Sequence, residues 1–264
     1  MRLSDLKVGL YKLVGRQARI LPLPHYVRDY RRHVRNLLRT APEDAAMALA
    51  AGGEFQSFGI ALKDFVVQCG LKESMTLIDV GCGSGRLAYA LRNMKIDYTG
   101  TDVVPELVKY AKKLCNRPDW RFEISTDLTI PAADNSADMV VFVSVFTHLR
   151  HEEAFLYLME AKRVLKPKGV IVFTFFDFGQ EHHWIIFQSF ANRIKSGFTP
   201  PHVDQFIDKT AIAVWAQKIG LDILNIFDGR HNYIRLSQEV TCDDGSKLSG
   251  DMTLGQSACI LQKP

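Results

Sequence analysis

Leu77-Ile78-Asp79-Val80-Gly81-Cys82-Gly83-Ser84-Gly85 is the stretch whose reading decides the fold. Thr76–Val80 is a short apolar run of the kind that forms a buried strand, and Gly85–Asn93 reads as a helix. Three glycines at alternate positions lie at the junction. Glycine permits a tight turn and lets backbone N–H groups approach a ligand, because no Cβ intervenes. A helix N-terminus behind such a loop favours a negative group such as a carboxylate.

Outward from this junction the chain alternates strand and helix. Asp97–Thr101 is a second strand, and Pro105 suits the first position of a helix running to about Asn116. Trp120–Ile124 and Met139–Val143 are the third and fourth strands. Glu152–Leu165 is a helix, stopped by Lys166-Pro167-Lys168-Gly169, and Val170–Phe175 is the fifth strand. Asp204–Ile219 is a helix ended by Gly220, with strands following at Leu221–Phe227 and Ala258–Leu261. Such alternation predicts an α/β fold with a mostly parallel sheet covered by helices on both faces. Right-handed crossovers then align the strand C-termini along one edge, where ligands bind. Residues 1–60 read as a helical N-terminal extension and 61–264 as the main domain, with an insertion near 176–204. Within the extension, Tyr26 to Thr40 carries five arginines beside Tyr26, Tyr30, Val34, Leu37 and Leu38, and Phe55 to Cys69 reads as an amphipathic helix.

Glycine spacing separates two ligand classes. A dinucleotide-binding loop reads G-x-G-x-x-G/A, which would require a small residue where Arg86 stands. Here the spacing is G-x-G-x-G, with Asp79 two residues ahead of Gly81. Asp79 would oppose a pyrophosphate but suits a ligand carrying an ammonium group. The stretch resembles the first motif of the class I S-adenosylmethionine-dependent methyltransferases. That resemblance implies a Rossmann-like, seven-stranded fold, with S-adenosyl-L-methionine held around Asp79, Gly81, Cys82, Gly83 and Gly85. Asp102 ends the second strand, with Val103 after it, roughly 20 residues beyond Asp79, as expected of an acid at the ribose of a nucleoside ligand. Its carboxylate can accept from both ribose hydroxyls.

Later segments extend the resemblance over residues 75 to 175. Asp127 and Leu128 follow the third strand, where the family often places an acidic side chain near the adenine amino group; a turn before Pro131 explains Asp127 about as well. Ser136-Ala137-Asp138 precedes the fourth strand, and Ser144 to Leu149 forms the loop expected beside the transferred methyl. Lys162 to Val170 resembles the connection from helix to fifth strand.

The resemblance implies methyl transfer to a small molecule, sugar or glycan, with oxygen the expected acceptor atom. A hydroxyl acceptor needs a base, and histidine titrates in the right range. His148, on the loop after the fourth strand, and His182 and His183, after the fifth, are the candidates. Asp177, His182 and His183 do not read as a metal site, since adjacent histidines project poorly toward one ion and spacing fixes no third ligand. Residues 26–60 are expected to pack over the pocket as a lid. Arg230, His231, Tyr233 and Arg235 read as a solvated hairpin.

Composition narrows the setting. The chain has 264 residues, 47% hydrophobic and 23% charged, with net charge +4. A pI near 8.7 is too mild to argue for nucleic acid by itself. Ser144-Val145-Phe146-Thr147 stands where methyltransferases of base amino groups carry Asn/Asp-Pro-Pro-aromatic. Five cysteines without a C-x-x-C pair point to a reducing, cytoplasmic setting. The apolar stripe of residues 1–20, flanked by Lys7, Lys12, Arg16 and Arg19, suits peripheral contact with an anionic membrane. Two rival readings are a nicotinamide-dependent oxidoreductase and a cofactor-binding scaffold without catalysis. Arg86 argues against the first, and the intact glycine loop with Asp102 against the second.

Overall fold

A computed structural model describes residues 23–198 and 202–264 of the chain. Two N-terminal helices, α1 (His25–Thr40) and α2 (Glu43–Ala50), precede α3 (Phe55–Gln68). The alternating part runs β1 (Thr76–Val80), α4 (Arg86–Leu91), β2 (Asp97–Asp102), α5 (Pro105–Cys115), β3 (Arg121–Ile124) and β4 (Ala137–Phe142). A 3-10 turn at Phe146–His148 leads to α6 (His151–Val164), β5 (Leu165–Phe175), α7 (Glu181–Lys195), α8 (Lys209–Ile219) and β6 (Asp222–Phe227). Four two-residue strands follow, β7 (Ile234–Arg235), β8 (Val240–Thr241), β9 (Lys247–Leu248) and β10 (Asp251–Met252), before β11 (Ser257–Gln262).

Seven strands form one sheet in the order β3-β2-β1-β4-β5-β11-β6. The pairs among β1 to β5 are parallel, and β11 is antiparallel to both of its neighbours. This is the Rossmann-like, mostly parallel sheet that the alternation predicts. Period-two patterning divides the core. Ile78, Val80, Val140, Phe142, Phe173 and Phe175 face one side, against Ala154, Leu158 and Ile212 of α6 and α8. Leu77, Met139, Val141 and Val172 face the other, against Leu62, Phe65, Leu87 and Leu91 of α3 and α4. Helices on both faces explain why these strands read as continuous apolar runs.

The ends of several elements differ from the sequence reading. The helix after the glycine loop begins at Arg86, because Gly85 is left-handed with φ of 87°, and it stops at Leu91. β5 begins at Leu165 rather than Val170: Leu165 pairs with Ala137 ahead of an irregularity in the β4–β5 register. α3 crosses residue 60, the expected end of the N-terminal extension, since its second half packs into the main core through Ala61, Leu62, Phe65 and Val66. Residues 1–20 lie outside the described residues, and so does the membrane contact expected of them. Among the described residues no helix is long and apolar enough to cross a membrane.

The sheet leaves β1 toward β2 on one side and β4 on the other. The C-terminal ends of β1, β2 and β4 therefore surround one crevice, the position at which open α/β sheets bind ligands.

Candidate active site

Chain geometry at the glycine loop follows from packing. A Cβ on Gly85 would lie 2.8 Å from the Ala111 Cβ and 3.0 Å from its Cα, so only glycine lets α4 meet α5. Gly83 is left-handed at φ of 56°, and a Cβ there would meet nothing within 4 Å. Its N–H donates to Asp102 Oδ2 at 3.0 Å, while Asp102 Oδ1 accepts from the Val104 N–H at 2.9 Å. The second acidic residue is thus held against the loop by the backbone, with lone pairs left for a ligand.

A cavity of about 390 Å³ opens beside this loop. That is within the size range of small-molecule and cofactor sites. Asp79, Gly81, Cys82, Gly83, Asp102, Val103 and Ser144, all singled out in the sequence, line it. Asp79 is buried and accepts a hydrogen bond from the Tyr98 hydroxyl at 2.7 Å. Burial pushes its carboxyl up to about 7, against the opposing effect of Tyr98. Burial also raises Asp102 to about 6, against the lowering hydrogen bonds from Val104 and Gly83. Two costly carboxylates side by side in a crevice mark a place prepared for a cation or for several hydroxyl donors. Ser144, a non-glycine residue at φ of 57°, turns the chain sharply after β4. Its N–H is held by Thr174 Oγ1 at 2.8 Å.

Residues from the N-terminal helices close over the crevice. Tyr26, Tyr30 and His33 from α1, and Leu49 to Gly52 at the end of α2, line the cavity. These helices are tied to the rim by specific bonds. The Tyr26 hydroxyl donates to the Thr126 carbonyl at 3.1 Å, and Arg31 Nε to the Val103 carbonyl at 2.9 Å. Ser84 Oγ donates to the Met47 carbonyl at 2.9 Å, and Arg86 donates to the Gly53 carbonyl at 3.1 Å. Burial lowers the Arg86 guanidinium to about 10.

Another part of the cavity lining is rich in imidazoles. Tyr30, His33, His148 and His202 meet there. The His148 ring lies 4.7 Å from that of His202 and 4.9 Å from that of Tyr30, and Tyr30 stacks on His202 at 5.5 Å. His148 Nδ1 is 3.0 Å from the Val203 carbonyl, which fixes that nitrogen as the protonated one. Burial keeps this imidazole below its ordinary range, so it is neutral at pH 7.

Other candidates lie elsewhere. His182 and His183 are not among the lining residues. His183 is fully buried between the Asp177 N–H, at 2.9 Å, and the Gly255 carbonyl, at 2.9 Å. His182 Nε2 approaches the same Gly255 carbonyl at 3.3 Å. Asp127 and Leu128 are outside the lining too, with Ser125 at the cavity wall instead. Asp127 Oδ1 accepts from Thr129 Oγ1 at 2.9 Å, and Leu128 packs against the core. Gly85 serves the packing of α4 rather than the cavity surface. Tyr30, His33, Tyr157, His202 and Gln256 line the cavity without having been singled out as site residues.

Comparison with known proteins agrees with this arrangement. Residues 78–173 match the family described as methyltransferase domain. That match, over about a third of the chain, supports the class I S-adenosylmethionine-dependent methyltransferase reading. It is 29% identical over 106 residues to demethylmenaquinone methyltransferase of Tropheryma whipplei, covering 39% of this chain and 42% of that one. It is also 29% identical over 104 residues to ubiquinone biosynthesis O-methyltransferase of Cereibacter sphaeroides, covering 38% and 40%. The chain thus spans about two fifths of the length of these curated relatives. In fold it is similar to a putative methyltransferase of Haloferax volcanii solved with the Trm112 activator, with TM-score 0.58, 20% identity and coverage of 84% and 95%. The family's cofactor is S-adenosylmethionine. The buried Asp79 carboxylate and the open face of Gly83 fit a ligand that is cationic and needs close approach to backbone.

Proposed function

We propose that this protein transfers the methyl group of S-adenosylmethionine to an oxygen of a small hydroxylated molecule. The observation that carries the reading is that one cavity is lined both by Asp79, Gly83 and Asp102 and by Tyr30, His33 and His148. On this reading Asp79 faces the ammonium of the methionine moiety, Arg86 lies on the side of its carboxylate, and Asp102 accepts from the ribose hydroxyls. The acceptor occupies the imidazole end, where the Tyr30 ring offers a flat surface to a phenol, a quinol or a sugar. The O-methyltransferase named among the relatives supports an oxygen acceptor. His148 is the residue through which the acceptor hydroxyl is activated.

Displacement at the methyl carbon needs an in-line approach and a dry pocket. Residues 26–60 supply the cover in this reading, with α1 and α2 as the lid. Two measurements test it. Calorimetry with S-adenosylmethionine and its demethylated product should give micromolar binding, with NAD far weaker. Incubation with phenolic, quinol and sugar acceptors should convert the cofactor to its demethylated product only where a methyl ether forms. Binding of NAD alone by the folded protein would overturn the reading. Cofactor binding with no turnover on any acceptor class would favour a scaffold role.

A further inference from the structure

Asp204 is the least satisfied charged group near the imidazole end. Its side chain is 9% exposed. Its Oδ2 is buried and has no hydrogen-bond partner among the described residues. Oδ1 has two imidazole nitrogens near it, His202 Nδ1 at 3.5 Å and His148 Nδ1 at 3.6 Å, both at or beyond the limit of a hydrogen bond. His202 Nδ1 is itself buried without a partner. A buried carboxylate without a good donor is costly unless something else neutralises it.

We propose that His148, His202 and Asp204 hold a first-row divalent metal ion at the acceptor end of the cavity. Each offers one ligand atom, and these atoms all lie within 4.8 Å of one another. Ligands on one ion at bond lengths of about 2.0–2.1 Å in tetrahedral geometry stand roughly 3.3 Å apart, close to the two separations from Asp204 Oδ1. Two imidazoles and one carboxylate suit iron(II), manganese, cobalt or zinc, and leave coordination positions open. His148 Nδ1, whose proton otherwise goes to the Val203 carbonyl at 3.0 Å, gives up that proton to hold the ion, because a ligating imidazole nitrogen must be deprotonated. His148 and His202 line the cavity, so an open position faces the space assigned to the acceptor. An acceptor oxygen bound there would be oriented by the ion and its proton made more acidic. This last role rests on the methyltransfer reading; the ion site itself does not.

The test uses the full chain in a Cys242→Ser background, because Glu54, Cys242 and Asp244 form a second group with ligand atoms in reach of one another. Chelator-treated protein is titrated with cobalt(II), followed by its visible absorption, and with zinc(II), followed by calorimetry. S-adenosylmethionine binding is measured on the same samples. One equivalent of metal should bind, and His202→Ala and Asp204→Asn should each weaken it by roughly 100-fold, at or above what outer-shell partners contribute. Asp204→Asn is nearly isosteric, so an unchanged melting curve separates lost ligation from lost folding. Absence of metal binding in protein that still binds the cofactor overturns the ion site and leaves the methyltransfer reading intact. Metal binding undiminished in both variants overturns it equally. Metal binding without cofactor binding supports the site while overturning the methyltransfer reading.

Discussion

The two ends of the cavity are built in different ways. The cofactor end is local: β1, the glycine loop and the end of β2 supply Asp79, Gly81, Gly83 and Asp102, and the parallel register of Val80 with Thr101 brings the two strand ends together. The acceptor end is assembled from afar. Tyr30 and His33 come from α1, His148 from the turn after β4, and His202 and Asp204 from the segment before α8. Glycines and acids spaced for one ligand announce themselves within a few residues of sequence. A pocket wall made of three distant segments does not, because each histidine alone reads as an ordinary packing or surface residue. On the proposed reading the local end takes the cofactor and the end assembled from afar takes the acceptor.

The strongest way to break this comparison is His148→Ala. It should lower turnover by about 10²–10⁴ through loss of acceptor activation. The dissociation constant for S-adenosylmethionine should stay nearly unchanged, because the contacts of His148 are with Tyr30, His202, Val203 and Asp204 rather than with Asp79 or Asp102. Steady-state kinetics with parallel calorimetry separates the two numbers. Equal loss of affinity and turnover would mean that the two ends are not independent.

Next in size is Asp102→Ala, the matching change at the cofactor end. Loss of hydrogen bonds to a carboxylate should weaken cofactor binding by about 1.5–3 kcal/mol, or roughly 10- to 150-fold. The maximal rate at saturating cofactor should fall much less. An unaltered dissociation constant in a folded variant would remove Asp102 from the cofactor end.

His183→Ala sharpens the comparison from outside the cavity. The sequence offers His148 first and then His182 and His183, since each follows a strand that ends at the ligand edge. The fold separates them: His183 lies in the first turn of α7, buried, and bonds the backbone at Asp177 and Gly255. Its removal should cost about 1–3 kcal/mol of stability by leaving buried backbone groups unpaired, with turnover per folded molecule preserved. Denaturant unfolding and active-site titration measure these separately, and a large loss of turnover at full folding would return His183 to the reaction.

How much was legible follows from the range of the interactions concerned. The strands and a mostly parallel sheet covered on both faces were readable because short apolar runs are a local signal, whereas the strand order in the sheet and the face that each of Leu77 and Ile78 takes come from the fold. The start of α4 was less readable, since Gly85 is left-handed just before it, where a Cβ would meet Ala111, a residue on another helix. The contribution of α1 left one usable trace. Tyr26, Tyr30 and His33 stand at i, i+4 and i+7, one face of a helix, and that face looks into the cavity. Nothing comparable marks His202 and Asp204, which reach the site only through the path of the chain between α7 and α8.

The smallest effect expected is a pH dependence confined to the cofactor end. Burial raises Asp79 to about 7 and Asp102 to about 6, so both are partly protonated in the free protein below neutrality. A carboxyl raised above its unfolded value of about 3.9 binds more protons when folded, so its contribution to stability is full below that value. The contribution is lost as pH rises toward 7, when the buried group ionises. A cationic cofactor reverses this locally, because the ammonium favours the ionised carboxylate. Affinity for S-adenosylmethionine should therefore rise between pH 5.5 and 7, by about threefold to tenfold per unit, with protons released on binding. The cofactor-induced rise in melting temperature should grow over the same window. Calorimetry near pH 6 in two buffers of different ionisation enthalpy counts the protons. Asp79→Asn, which cannot ionise, should bind more weakly and flatten the profile, leaving the shallower contribution of Asp102. A profile of unchanged steepness in that variant would show that Asp79 does not face the cofactor's charge.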